Sequence, residues 1–191
     1  MSETAHAGSQ RGRGLRGRVV SGRGVASFHL NDEMDEFVKA TGERLIAGSL
    51  NVLLEEPILF DTNAARIASN GKRLLWRAAI GETPVWIYRF PHAQLHVAEV
   101  LSQTHLRSAF SLEDGDEVSL IVPQNVCVEL GSRERTLWKL FWLGRESWPY
   151  SRDSYYSRLK RLSIDLGITQ EPNKRVSTIK AIRRFVFRGF R

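Results

Sequence analysis

Apolar residues recur along this chain in short runs, most of them with the every-other-residue spacing of half-buried strands. Leu15 to Val20 begins the first strand, which breaks into the glycine loop Ser21-Gly22-Arg23-Gly24. Phe28 to Leu30 is expected to resume extended structure. Asn31 then caps a short helix whose apolar face is Met34, Phe37 and Val38. Asp32, Glu33, Asp35 and Glu36 sit in its first turns, where the helix dipole favours acids. Thr41-Gly42 ends that helix, and Arg44 to Leu54 reads as a strand. Pro57 to Ala68 is a less regular connection, and Asn70-Gly71 is a hairpin signal with Arg73 to Ile80 as its second arm. After a turn at Gly81 to Pro84, Val85 to Phe90 is a nearly continuous apolar strand, the pattern of burial on both faces. Pro91-His92 opens a loop, and His96 to Leu106 follows with Glu99 inside it. Leu112 to Asp116 is a tight turn. Val118, Leu120 and Val122 then alternate as one face of a strand, and Val126, Val128 and Leu130 repeat the pattern. Many short strands, one short helix and closely spaced glycine turns predict a small β-barrel.

Beyond Gly131 the pattern changes. Ser132 to Leu143 suits either a helix or a strand. Ser151 to Leu166 is a clearer helix, with Tyr155, Leu159, Leu162 and Leu166 on one face and Gly167 as its stop. Ser177 to Phe187 sets Ile179, Ile182 and Val186 against Lys180, Arg183 and Arg184. Charge supports a boundary there. Residues 1–24 carry five arginines against one acid, residues 25–130 eight basic against fifteen acidic side chains, and residues 131–191 fifteen basic against five acidic. The formal charge of +7 therefore belongs to the ends of the chain. The expected organisation is a disordered tail over 1–14, a barrel domain over 15–130 and a basic, largely helical C-terminal extension over 131–191.

Composition narrows the classes. Hydrophobic content of 42% with 26% charged residues is that of a globular chain with a real core. No run approaches the ~18 apolar residues that span a membrane. The polar, arginine-bearing start is unlike a secretory signal, so a cytoplasmic location is expected. Cys127 is the sole cysteine, which leaves no disulfide and no thiolate cluster, and a structural thiol in a strand is the expectation. His29, His92, His96 and His105 fit no zinc spacing.

Candidate chemistry lies in the glycine loop and in Gly48-Ser49-Leu50-Asn51-Val52. Such a loop brings successive N–H groups close to a phosphate. Ser49 and Asn51, two residues apart on an extended segment, present a hydroxyl and an amide to one side. Two neutral oxygens beside nucleotide phosphates suit magnesium. No Gly-x4-Gly-Lys-Ser/Thr occurs, which excludes a P-loop. Ser21-Gly22-x-Gly24, Gly48 to Val52, Asn70-Gly71-Lys72-Arg73 and Leu112-x-x-Gly115-Asp116, taken in order, resemble the CTP-dependent riboflavin kinase family best known from archaea. The resemblance covers roughly residues 15–123 and is strongest from Gly17 to Asp61.

That resemblance implies a six-stranded cradle-loop β-barrel that moves the γ-phosphoryl of a nucleoside triphosphate, CTP in the archaeal enzymes, to the 5′-hydroxyl of riboflavin, giving FMN. It implies Mg2+ held by Ser49, where the family has threonine, and by Asn51. It places Gly22, Arg23, Gly24, Val25, Ala26 and Ser27 over the nucleotide, joined by Thr104, His105, Leu106 and Arg107. It places Glu99 against the flavin ring system, with Pro91 standing where the family carries a threonine near the flavin. The family loop reads Gly-x-Gly-Glu-Gly, whereas Val25-Ala26 follow Gly24 here. No catalytic base is assigned. Two other readings stay open: a barrel that binds flavin or nucleotide without turnover, and a ligand-sensing regulator. The regulator would bind nucleic acid through residues 131–191, where Trp138, Trp142, Trp148, Tyr155 and Tyr156 lie among arginines. The extension packing on an acidic barrel surface is a further expectation.

Overall fold

Alternation sets the first strand. In β1 (Gly12–Val20), Leu15, Gly17 and Val19 point inward and the arginines between them point to solvent. The computed structural model describes residues 12–150, 154–171 and 176–187. Most of the tail expected to be disordered therefore lies outside the described residues. Gly12, Arg13 and Gly14, however, already belong to the sheet, paired with Pro123, Val122 and Ile121. Backbone hydrogen bonds make a strand of them without any side chain to bury.

The remaining strands are β2 (Leu50–Leu54), β3 (Leu59–Phe60), β4 (Arg66–Ala68), β5 (Arg73–Ile80), β6 (Thr83–Arg89), β7 (Val97–Leu101), β8 (Glu117–Pro123) and β9 (Cys127–Val128). All pairings are antiparallel, and the main sheet runs β4-β5-β6-β7-β2-β1-β8. It closes because β5 also pairs with β8, Ala79 opposite Ile121. Six strands thus form a closed barrel, and β4 adds a flap beside β5. Closure removes the exposed edges that an open sheet of this size would leave. Val19, Val52, Trp76, Ile87, Val100 and Leu120 fill the interior, each at most 1% exposed.

The hairpin at Asn70-Gly71 joins β4 to β5 through Ser69, Asn70 and Gly71, all with positive φ. β6 is buried on both faces, as its apolar run predicts. Val85 and Ile87 face the barrel interior, while Trp86 and Tyr88 face outward under two helices. Those helices, α1 (Val25–Asp32) and α2 (Met34–Thr41), correct two expectations. Phe28 to Leu30 is helical rather than extended, and Asn31 lies inside α1 instead of capping α2. Burial of Leu30 beside Phe37, Leu45 and Leu75 outweighs the modest strand preference of the stretch. Gly42, at φ 76°, ends α2 as expected.

After β8, the predicted alternation of Val126, Val128 and Leu130 fails. A 3-10 turn covers Gln124–Val126, and β9 pairs only with β3, leaving Val128 38% exposed. Cys127 sits in β9, half-buried. The short helix α3 (Leu106–Ala109) precedes β8 in the chain.

The extension is helical where described: α4 (Ser132–Trp142), α5 (Ser154–Leu166) and α6 (Thr178–Phe187), with a 3-10 turn at Trp148–Tyr150. Leu159, Leu162 and Leu166 form the buried face of α5, and Gly167 stops it with a φ of 72°. In α6 the expected apolar face is not the packed one. Ile179 is 82% exposed, while Ala181 is buried and Phe185 packs against the neighbouring helix core. Trp138, Trp142 and Tyr156 are interior. Trp148 and Tyr155 meet edge to face at 5.1 Å, and Tyr155 does the same with Phe185 at 5.9 Å. These aromatics contribute to the core of the extension.

Among the described residues, buried polar contacts help join extension and barrel. Residues 168–171 run beside the loop 91–94, with Gln170 N donating to Ala93 O at 3.0 Å and Glu171 N to Pro91 O at 2.7 Å. Arg89, 1% exposed at the end of β6, donates to the carbonyls of Val97, Ile58 and Leu95 and to Gln170 Oε1 at 2.8–2.9 Å. Its guanidinium also lies 4.6 Å from the Phe60 ring centre. Burial lowers its pKa to about 9. Gln170 returns the contact by donating Nε2 to Phe60 O at 2.7 Å. Among the described residues, no helix is long and apolar enough to cross a membrane.

Candidate functional site

Register brings the candidate residues together. Asn51 of β2 lies opposite Val20 of β1 on one side and Glu99 of β7 on the other, and Glu99 lies opposite Tyr88 of β6. Residues directly opposite in antiparallel strands share a face. Because Val52, Val100 and Ile87 point into the barrel, Asn51, Glu99 and Tyr88 form a row across its outer wall. A cavity of about 850 Å³ stands over this row. The glycine loop, the Asn70-Gly71 turn, the loop after β6 and the extension border it.

Gly22, Arg23, Gly24, Ser27, Ser49, Asn51, Pro91, Glu99 and Arg107 all line this cavity. Thr104, His105 and Leu106 do not. They border a neighbouring hollow of about 160 Å³ that shares Gly48, Ser49 and Arg107 with the cavity rim. Leu106 is itself part of the barrel core. Val25 and Ala26 open α1 at the end of the glycine loop. The side chains of these two residues lie outside the described set.

The glycine loop is anchored from below. Ser21 N donates to Asp114 Oδ2 at 2.9 Å, Val19 N to Asp116 O at 2.8 Å and Gly115 N to Val19 O at 2.9 Å. Asp114 and Asp116 thus act as turn residues bracing the loop. Asp114 accepts from Ser21 and from Arg107, and both lower its pKa. Arg107 Nη2 spans Asp114 Oδ1 at 2.6 Å and Val20 O at 2.9 Å, which holds its head at the root of the loop. Gly22 has a steric reason to be glycine: a Cβ there would collide with the Asn51 side-chain amide. Loop backbone and Asn51 amide are therefore in contact. Ser49 Oγ donates to Asn51 Oδ1 at 3.3 Å, so the hydroxyl and amide do face one side although Ser49 precedes the strand.

Among the described residues, Glu99 is the carboxyl that lines the cavity. Burial pushes its pKa up to about 7, with the Arg73 charge drawing it back. Near neutral pH it both donates and accepts hydrogen bonds, and it can take up a proton. Arg73 is held by a two-pronged contact with Glu33, Nε to Oε2 and Nη2 to Oε1, both 3.1 Å. Burial raises the Tyr88 phenol to about 12, which keeps it a neutral donor. Among the described residues no cluster of three His, Cys, Asp or Glu side chains stands together. The oxygens of Ser49 and Asn51 belong to a different donor set, neutral and suited to a cation whose charge is met by phosphates.

Gln94, Tyr150, Tyr156 and Lys160 also line the cavity and carry no recognisable motif. Three of them come from the extension. In the sequence, Tyr156 stands out only as one of the extension's aromatics, and Lys160 only by its place on an amphipathic helix. No protein-family model matches the chain, and no curated protein matches it.

Proposed function

We propose that the cavity on the barrel's outer wall binds a nucleoside triphosphate and a flavin, and transfers the γ-phosphoryl group to the riboflavin 5′-hydroxyl to give FMN. The observation that supports this best is convergence: a glycine loop packed on the Asn51 amide, the paired oxygens of Ser49 and Asn51, and a buried acid share one cavity. The motif order resembles that of the CTP-dependent riboflavin kinases of the cradle-loop class, which makes CTP the expected donor.

In this reading the N–H groups of the glycine loop receive the phosphate chain, and Ser49 and Asn51 would hold Mg2+. Magnesium supplies charge neutralisation of the phosphates when bound. Arg107, fixed at the root of the loop, adds positive charge at the same end. Glu99 meets the polar edge of the flavin ring, and Pro91 bounds the ring laterally. Phosphoryl transfer asks mainly for positioning and charge, which this residue set supplies without a dedicated nucleophile.

The test is formation of FMN from riboflavin and magnesium with CTP, ATP, GTP or UTP in turn, with Asn51→Ala as the paired variant. FMN from the wild type and a loss of at least ~100-fold in the variant is the expected outcome, the scale for removing one electrostatic stabiliser. Absence of FMN with every donor, in folded protein, would refute the kinase. Flavin or nucleotide bound tightly without turnover would then identify Val25-Ala26 as having disabled the loop.

A further inference from the structure

Among the described residues, five cationic side chains line the cavity: Arg23, Lys72, Arg73, Arg107 and Lys160. Two are already engaged, Arg73 with Glu33 and Arg107 with Asp114. Among the described residues, Arg23, Lys72 and Lys160 form no ion pair with a carboxylate. Among the described residues, the only carboxyl on the lining is Glu99, whose burial favours its neutral form.

Lys160 and Arg23 are of particular interest, because they come from opposite ends of the chain. Arg23 stands in the glycine loop and Lys160 on α5, and both line the cavity. Lys160 is half-buried, and its ammonium rests 4.8 Å from the centre of the Phe90 ring, so the side chain is directed rather than free in solvent. Burial lowers its pKa, and the nearby Arg23 charge lowers it further. Two like charges lining one concave site repel each other. An anion between them turns that repulsion into attraction from both sides.

We propose that Lys160 of the C-terminal extension and Arg23 of the glycine loop form the two jaws of a polyphosphate-binding cleft, so that the site is complete only with the extension in place. Naming the anion as the phosphate chain of a nucleoside triphosphate rests on the phosphoryl-transfer reading above; the cleft itself does not. The extension then acts as a substrate-binding element, and Lys160 is a binding residue for the phosphates. A bound triphosphate bridges loop and α5 and ties the two parts of the chain together.

The experiment uses the full chain and inorganic tripolyphosphate, followed by titration calorimetry at low and moderate salt. Lys160→Met keeps the aliphatic stem on Phe90 and removes the charge, and Lys160→Arg restores the charge. Expected are a loss of about tenfold or more in tripolyphosphate affinity for the Met variant, larger at low salt, and recovery in the Arg variant. Riboflavin affinity, read by fluorescence quenching, stays within about twofold in both, consistent with a charge effect confined to the anion. Wild-type tripolyphosphate affinity in Lys160→Met overturns the cleft, as does failure of the wild type to bind tripolyphosphate. The two readings separate cleanly. Lys160-dependent tripolyphosphate binding without FMN synthesis sustains the cleft and refutes the kinase. FMN synthesis with a wild-type KM for the nucleotide in Lys160→Met refutes the cleft and sustains the kinase.

Discussion

Replacing His96 by glutamine tests the seam between barrel and extension through its response to acid. His96 is fully buried. Trp138 Nε1 donates to its Nδ1 at 2.9 Å, so the ring proton resides on Nε2, which donates to Glu146 O at 3.1 Å. The rings of Trp138 and Trp142 stand 5.5 and 5.0 Å from it, centre to centre. A second proton would have to enter at Nδ1, facing the indole N–H. Burial lowers the pKa from 6.5 to about 3, with the Glu146 carbonyl opposing the shift and Arg89 reinforcing it. The unfolded chain takes a proton near 6.5 and the folded chain does not, so this contribution is whole above 6.5 and declines as pH falls. The slope is ~1.4 kcal/mol per pH unit. At about pH 5, well above the folded value, the loss is set by the unfolded pKa and amounts to ~2 kcal/mol. A glutamine amide can accept from Trp138 and donate to Glu146 but does not titrate. Urea unfolding of both proteins at pH 8 and pH 5 cancels the titrations they share. The stability change from pH 8 to pH 5 should be more favourable in His96→Gln by ~2 kcal/mol. Equal changes in the two proteins would refute a buried neutral ring.

Glu99 should show the opposite sign. Its pKa rises from 4.5 to about 7 on folding, so the stability present below 4.5 is lost as pH climbs through 7. Glu99→Gln should therefore gain ~2–3 kcal/mol over the wild type at about pH 8 and much less at pH 5, read by the same urea series; a pH-independent difference would sink the assignment. Gln170→Leu strands the Phe60 N–H and C=O, and it takes one acceptor from Arg89. A loss of ~2–4 kcal/mol is expected, lowering Tm by roughly 5–15 °C in a thermal melt, and an unchanged Tm would show that this contact does not hold the extension to the barrel.

Local pattern carried much of the fold. Alternation in Leu15 to Val20 and Val118 to Val122, the double-sided burial of Val85 to Tyr88, and the Asn70-Gly71 turn all follow from side-chain period and glycine chemistry. Errors fall where tertiary packing overrode local preference. Leu30 goes under α2, which draws Phe28 to Leu30 into a helix. The apolar face drawn on α6 at Ile179 and Val186 is exposed, because the small Ala181 permits the close approach to the extension core.

The candidate site divides along the same line. The glycine loop and the Ser49/Asn51 pair are visible in sequence, since each depends on residues within a few positions of one another. That Asn51, Glu99 and Tyr88 stand in a row depends on strand register across nearly 50 residues, which no local pattern encodes. That Lys160 and Arg23 line one cavity depends on still more distant packing: Arg89 and Gln170 lock the extension against the loop after β6, and α5 becomes a wall of the cavity. The chain's periodicity determined which segments became strands and helices, because neighbouring side chains decide local backbone geometry. Only burial and hydrogen bonding between distant segments decided which side chains share a cavity, because those free energies exist only once the whole chain is folded.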